Sequence, residues 1–188
     1  MARAVVDGSG RPVVYRWVPV LIVVALIALV VGGAQVLSAA VTAADVPPVR
    51  VGAAVQIQPR PGWEVLSVTA APPSARLHRG PVVLTVLAMD PEPLGPGAVA
   101  DRYVEEQLGQ SLSQLAVATQ DPTVLDNGVF AVRSAYVGIT ADGRSIEGVV
   151  VAATTDQAAV VFDASAPGGG IAVVADDLRA MVEHAVIH

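Results

Sequence analysis

The chain has 188 residues, no cysteine, and eleven basic residues, all arginine, against seventeen acidic ones, for a net charge of −6. Without cysteine there can be no disulfide staples, no thiol nucleophile and no lipid-modified cysteine anchor. The acidic balance argues against nucleic-acid binding, which needs basic patches to neutralise phosphates, while 53% apolar residues provide for a folded core.

The first 17 residues carry Arg3, Arg11 and Arg16 against one acid, Asp7. Val18 to Leu37 then runs for twenty positions without a charge, Gln35 being its only strongly polar side chain. At about 1.5 Å per residue such a helix matches a hydrocarbon core of about 30 Å. Basic residues beside a span stay on the cytoplasmic side. The expectation is a single transmembrane helix over 18–37 with residues 1–17 in the cytoplasm and the remainder exported. Tyr15 and Trp17 suit the inner interface. Small residues from Ser38 to Ala44 leave cleavage by a signal peptidase as the alternative, although the run exceeds the usual apolar stretch of a signal peptide. Ala28 and Gly32 form a small-xxx-small spacing, which permits close helix approach and is common by chance in such spans.

Residues 38–48 read as a linker of small residues and proline, and 49–188 as one extracytoplasmic domain. Linker and domain together, residues 38–188, hold eight arginines against sixteen acids, a net of −8. Its first strand is expected over Val49 to Ile57, followed by a turn at Pro59-Arg60-Pro61-Gly62. Trp63 to Ala70 reads as a strand ended by Pro72-Pro73, and Leu77 to Ala88 as a further extended run. From Pro96 to Leu115 the period changes. Ala100, Val104, Leu108, Leu112 and Leu115 recur at helical spacing, which predicts one amphipathic helix. Val129 to Ile139, Ser145 to Thr154 and Ala158 to Ala164 follow as a meander, with Asp142-Gly143 marking a hairpin. Ile171 to Ile187 closes the chain as a helix burying Ile171, Val174, Leu178, Met181, Val182 and Ala185. The expected fold class is α+β, an antiparallel sheet with two packed helices.

Four pieces together resemble the PsbP-like family, which includes actinobacterial LpqN-type envelope lipoproteins. They are Pro59-Arg60-Pro61-Gly62-Trp63, the helix AVADRYVEEQL, the meander around Ala141-Asp142-Gly143-Arg144, and the closing VVFDASAPGGGIAVVADDLRAMVEHAVI. Their order covers about Val49 to Ile187. The resemblance implies a non-enzymatic extracytoplasmic module that binds or organises an envelope protein partner, here tethered by a helix instead of a lipid. Arginine without lysine, with abundant Ala, Val, Gly and Pro, also resembles an actinobacterial composition.

No constellation of catalytic, metal-binding or cofactor-binding residues emerges from the sequence. The histidines are His78, His184 and His188, and the serines form no nucleophile elbow. His184 and His188, four apart beside Glu183, could face one metal on a continuing helix. A solvated, frayed helix end is the simpler expectation. Asp90-Pro91-Glu92-Pro93 reads as a capped turn, since two carboxylates cannot define a calcium site. Asp176 and Asp177 are placed on the exposed start of the last helix. Gly168-Gly169-Gly170 lacks the basic residue and spacing of an anion cradle, and reads as a flexible lead into that helix. Trp63 is expected to anchor the core at the first turn rather than serve as a partner hot spot. A ligand-binding or enzymatic domain is the alternative, and it requires a deep pocket with convergent polar groups.

Overall fold

The computed structural model describes residues 46–188. The expected cytoplasmic tail, the transmembrane helix and the start of the linker lie outside the described residues. Among those described, no helix is long and apolar enough to cross a membrane.

The centre is an eight-stranded antiparallel sheet, in the order β3-β4-β5-β10-β9-β8-β6, with β7 also on β8. Its strands are β3 (Glu64–Ala70), β4 (Pro73–Arg79), β5 (Val82–Met89), β6 (Leu112–Val117), β7 (Asp121–Val124), β8 (Phe130–Thr140), β9 (Ser145–Thr154) and β10 (Ala159–Pro167). The first and last strands, β1 (Val49–Val51) and β11 (Val186–Ile187), flank β2 (Val55–Ile57) in a separate three-stranded sheet. Side chains alternate between the faces of a strand. On β10, Val160, Phe162 and Ala164 therefore join one core, while Ala159 and Val161 join the other. Helix α1 (Pro96–Tyr103) covers the second face, and α2 (Gly170–Val173) and α3 (Ala175–Glu183) belong to the first.

Several expected elements are confirmed and others are corrected. The Asp142-Gly143 hairpin forms, with Gly143 at φ 83°, and β9 runs from Ser145 to Thr154 as anticipated. The expected strand over Val49–Ile57 is instead a hairpin. Gly52 at φ 58° reverses the chain, and Val51 pairs with Val55. The strand expected over Trp63–Ala70 forms as β3 and ends before Pro72-Pro73, and β4 starts at Pro73 and pairs back on it. The helix expected to Leu115 stops at Ser111. After Tyr103 it widens into a π-helical turn over Val104–Leu108, where Gly109 N–H donates to Val104 O. Leu112 then opens strand β6 and Leu115 pairs with Gly138 of β8. Both leucines still pack on the second core. The hydrophobic stripe was real in burial and wrong in element.

The final helix is likewise corrected. It is two short helices broken at Val174 (φ −118°, ψ 12°), and the chain ends as β11 on β2. His188 N–H donates to Ala54 O at 2.9 Å, so the terminus is held rather than frayed.

Gly148 illustrates how closely the second core is fitted. It lies opposite Tyr136, and a Cβ there would stand 2.2 Å from the tyrosine ring. Overpacking of this kind costs about 1–3 kcal/mol. Gly148→Ala should lower the unfolding free energy by about 2 kcal/mol in guanidinium titrations followed by circular dichroism. An unchanged midpoint would show that the ring can move away freely.

Candidate functional site

Two places in the fold concentrate polar chemistry. The first is Asp163, in the middle of the central strand β10 and only 7% exposed. Tyr103 OH, from the end of α1, donates to its Oδ2 at 2.8 Å. Tyr136 OH, from β8, donates to its Oδ1 at 2.8 Å. Burial raises the Asp163 carboxyl above its ordinary value, and the two phenol donors work in the opposite direction. Both phenols are pushed upward by burial and by the facing carboxyl, so they remain donors. Both carboxyl oxygens are thus occupied, and the arrangement braces helix α1 to the sheet.

The second place is a cavity of about 340 Å³ on the opposite face, between the sheet and α3. Leu84, Val149, Val151, Phe162 and Ala164 form its floor, drawn from three neighbouring strands. Ile171, Leu178 and Val182 close it from the helical side. Four charged side chains line it as well: Asp121, Arg133, Arg179 and Glu183. Asp121 and Arg133 lie directly opposite on β7 and β8. Arg179 and Glu183 are one turn apart on α3, close enough to face the same way. Among the described residues, neither Arg133 nor Arg179 has a carboxylate within 4.0 Å, whereas Arg60, Arg79, Arg102 and Arg144 all do. A broader hollow of about 710 Å³ near Pro73, Gln157 and His188 is more open.

The residues singled out from sequence are scattered. His184 Nδ1 is 2.7 Å from Ala180 O, and its Nε2 lies 3.3 Å from Asp126. His188 follows strand β11 rather than continuing the helix, so the two do not share a helical face. His78 lies 3.3 Å from Glu64 across β3 and β4. No cluster of three or more metal-ligating side chains occurs among the described residues. Glu92 accepts from Leu94 N–H and pairs with Arg102, which fits a capped loop. Asp177 is corrected from its expected exposed placement: it is partly buried and accepts from Arg79, with Arg60 3.9 Å away. Behind Gly168-Gly169-Gly170, the Ile171 N–H donates to Glu147 Oε1 at 3.0 Å, so a protein carboxylate takes the place an anion would use. Trp63 is 2% exposed within the first core, and among the described residues its buried Nε1 has no partner.

Sequence reasoning missed Asp163 and the four charged cavity residues. Asp163 had a signal, being the one charge in the apolar run Ala158–Ala164. The cavity residues had none, because their meeting depends on the sheet order.

Asp163 supplies a pH test. Its folded-state carboxyl is raised above 3.8, so it favours folding fully below that value and the contribution is lost as pH rises through the folded value. The stability of the wild type relative to Asp163→Asn should therefore fall as pH rises above 3.8. A difference that does not change with pH would refute the raised carboxyl. Tyr103→Phe, which removes one donor, should cost about 2 kcal/mol at neutral pH in the same unfolding measurement.

No family model matches the chain, and no curated protein matches it by sequence. Solved structures do match in fold. LpqN of Mycobacterium tuberculosis, described as involved in cell envelope biogenesis, superposes with a TM-score of 0.56 at 12% identity, over 75% of this chain and 89% of that one. Cyanobacterial PsbP (CyanoP) from Synechocystis sp. PCC 6803 gives 0.53 at 14% identity, over 72% and 87%. A protein of Bacteroides thetaiotaomicron gives 0.50 at 9% identity, with 71% of this chain spanning 45% of that one. Identities this low speak to fold alone. The described domain has a PsbP-like α+β fold, an antiparallel sheet with a few helices.

Proposed function

We propose that the protein is a single-pass, membrane-tethered binding or adaptor module of a bacterial cell envelope or secretion complex, non-catalytic, with its N-terminus cytoplasmic and its α+β domain extracytoplasmic. The PsbP-like fold carries this reading, because the similar LpqN structure is described as involved in cell envelope biogenesis. The uncharged run Val18 to Leu37 and its arginine flank support the tether. Strand β3 supports a protein partner. Among the described residues it ends the sheet and pairs only with β4, which leaves its outer row of backbone groups open. Val65, Leu66 and Val68 on it are 42%, 52% and 53% exposed. An open apolar edge of this kind suits an extended segment of another protein adding as a strand.

The chain's lack of cysteine makes topology simple to test. Ser145→Cys should react with a membrane-impermeant maleimide on intact cells, and Ser9→Cys should not. N-terminal sequencing of the mature protein that starts near Asp45 would replace the tethered form with a secreted one. Affinity capture from gently solubilised membranes should recover one reproducible envelope protein, and Val68→Lys should lose it while leaving the unfolding midpoint nearly unchanged. Recovery of the protein alone would count against the adaptor role.

A second reading, a small-ligand-binding domain, is favoured by the cavity beneath α3. That cavity combines an apolar floor with convergent charged groups.

A further inference from the structure

We infer that the cavity between the sheet and α3 binds a single-chain amphiphile with a zwitterionic head, of the lysophospholipid class. This rests on the ligand-binding reading given above. At about 340 Å³ the cavity is at the small end of ligand sites, which run from about 300 to about 1,000 Å³, and that favours one aliphatic chain over two. Leu84, Val149, Val151, Phe162 and Ala164 offer the chain no polar side chain, so an aliphatic body loses no hydrogen bond on entering.

The choice of head follows from the charges. Arg133 and Asp121 come from neighbouring strands and Arg179 and Glu183 from the helix above, so each wall carries one charge of each sign. Neither arginine is paired with a carboxylate within 4.0 Å among the described residues. A phosphate and an ammonium on one head would give all four a partner. A purely anionic head would face Asp121 and Glu183, and a purely cationic one would face the arginines. A neutral head would crowd four charges while pairing none. Guanidinium groups suit phosphate because their fork donates two parallel hydrogen bonds.

The chain contains two phenylalanines. Phe162 is on the cavity floor and Phe130 is 72% exposed. The full chain, labelled with fluorophenylalanine and held in a non-ionic amphipol, therefore carries a fluorine reporter inside the site and a reference outside it. Titration with dodecanoyl lysophosphatidylethanolamine should shift the Phe162 resonance saturably and leave Phe130 in place. Arg133→Gln with Arg179→Gln should weaken binding by about tenfold or more. Asp121→Asn with Glu183→Gln should weaken it severalfold and strengthen the binding of dodecanoate. Two fewer methylenes should cost about tenfold in affinity. An unliganded Phe162 resonance that keeps its position in the variants shows that the fold is intact.

A Phe162 resonance that does not respond at saturation would overturn the proposal. So would equal binding of dodecyl maltoside with no effect of the four substitutions, which would mean that only the chain is recognised. Either result together with successful capture of an envelope protein would remove the ligand and leave the adaptor role standing. Loss of the captured partner with a normal Phe162 response would do the reverse.

Discussion

Two tyrosine hydroxyls on one buried carboxylate fix how the helical layer meets the sheet. Asp163 occupies the middle of β10, which lies at the centre of the strand order, and Tyr103 reaches it from the end of α1. Tyr136 reaches it from β8, two strands away, across a gap left open by Gly148 on β9. A carboxylate buried without such donors would be strongly destabilising. The pair of donors therefore makes the register of β8, β9 and β10 and the position of α1 depend on one another. The π-helical turn that begins after Tyr103 adds to this, since it changes the helical phase immediately beyond the contact.

The opposite face is built on a different principle. Small side chains (Ala118, Ala135, Ala164 and Ala175) line the space under α3, so the helix does not fill it. Its position is set at its ends. Arg79 and Arg60 reach Asp177 near its start, and Asn127 Nδ2 donates to Ala185 O just past its end at 3.1 Å. A helix fastened at both ends over small residues leaves a cavity that closer packing would remove. One face is thus a satisfied polar brace, and the other is space bordered by charges that do not pair with each other.

Local chemistry explains which elements were legible. Asp142-Gly143 between alternating runs specified its hairpin, because the turn geometry belongs to those residues alone. The stripe Ala100, Val104, Leu108, Leu112 and Leu115 was legible as a buried surface, but not as one helix. Gly109, Ser111 and Ser113 weaken helical propensity there, and pairing with β8 provides a better use for the backbone. The same competition shortened the last helix, where Val186 and Ile187 pair with β2. The hairpin at Gly52 was hidden because Val49, Val51, Val55 and Ile57 keep a period of two across it, and a period of two does not show where the chain turns back.

By itself the sequence determined the charge balance, the absence of thiols, the uncharged run near the N-terminus, the α+β class and the local turns. These depend on composition or on neighbours a few residues apart. Only the tertiary structure decided that Tyr103 and Tyr136 would meet on Asp163, and that Arg133 and Arg179 would line one cavity with Asp121 and Glu183. Those partners are separated by tens of residues. Strand order and the seating of two helices bring them together, and no spacing along the chain encodes either.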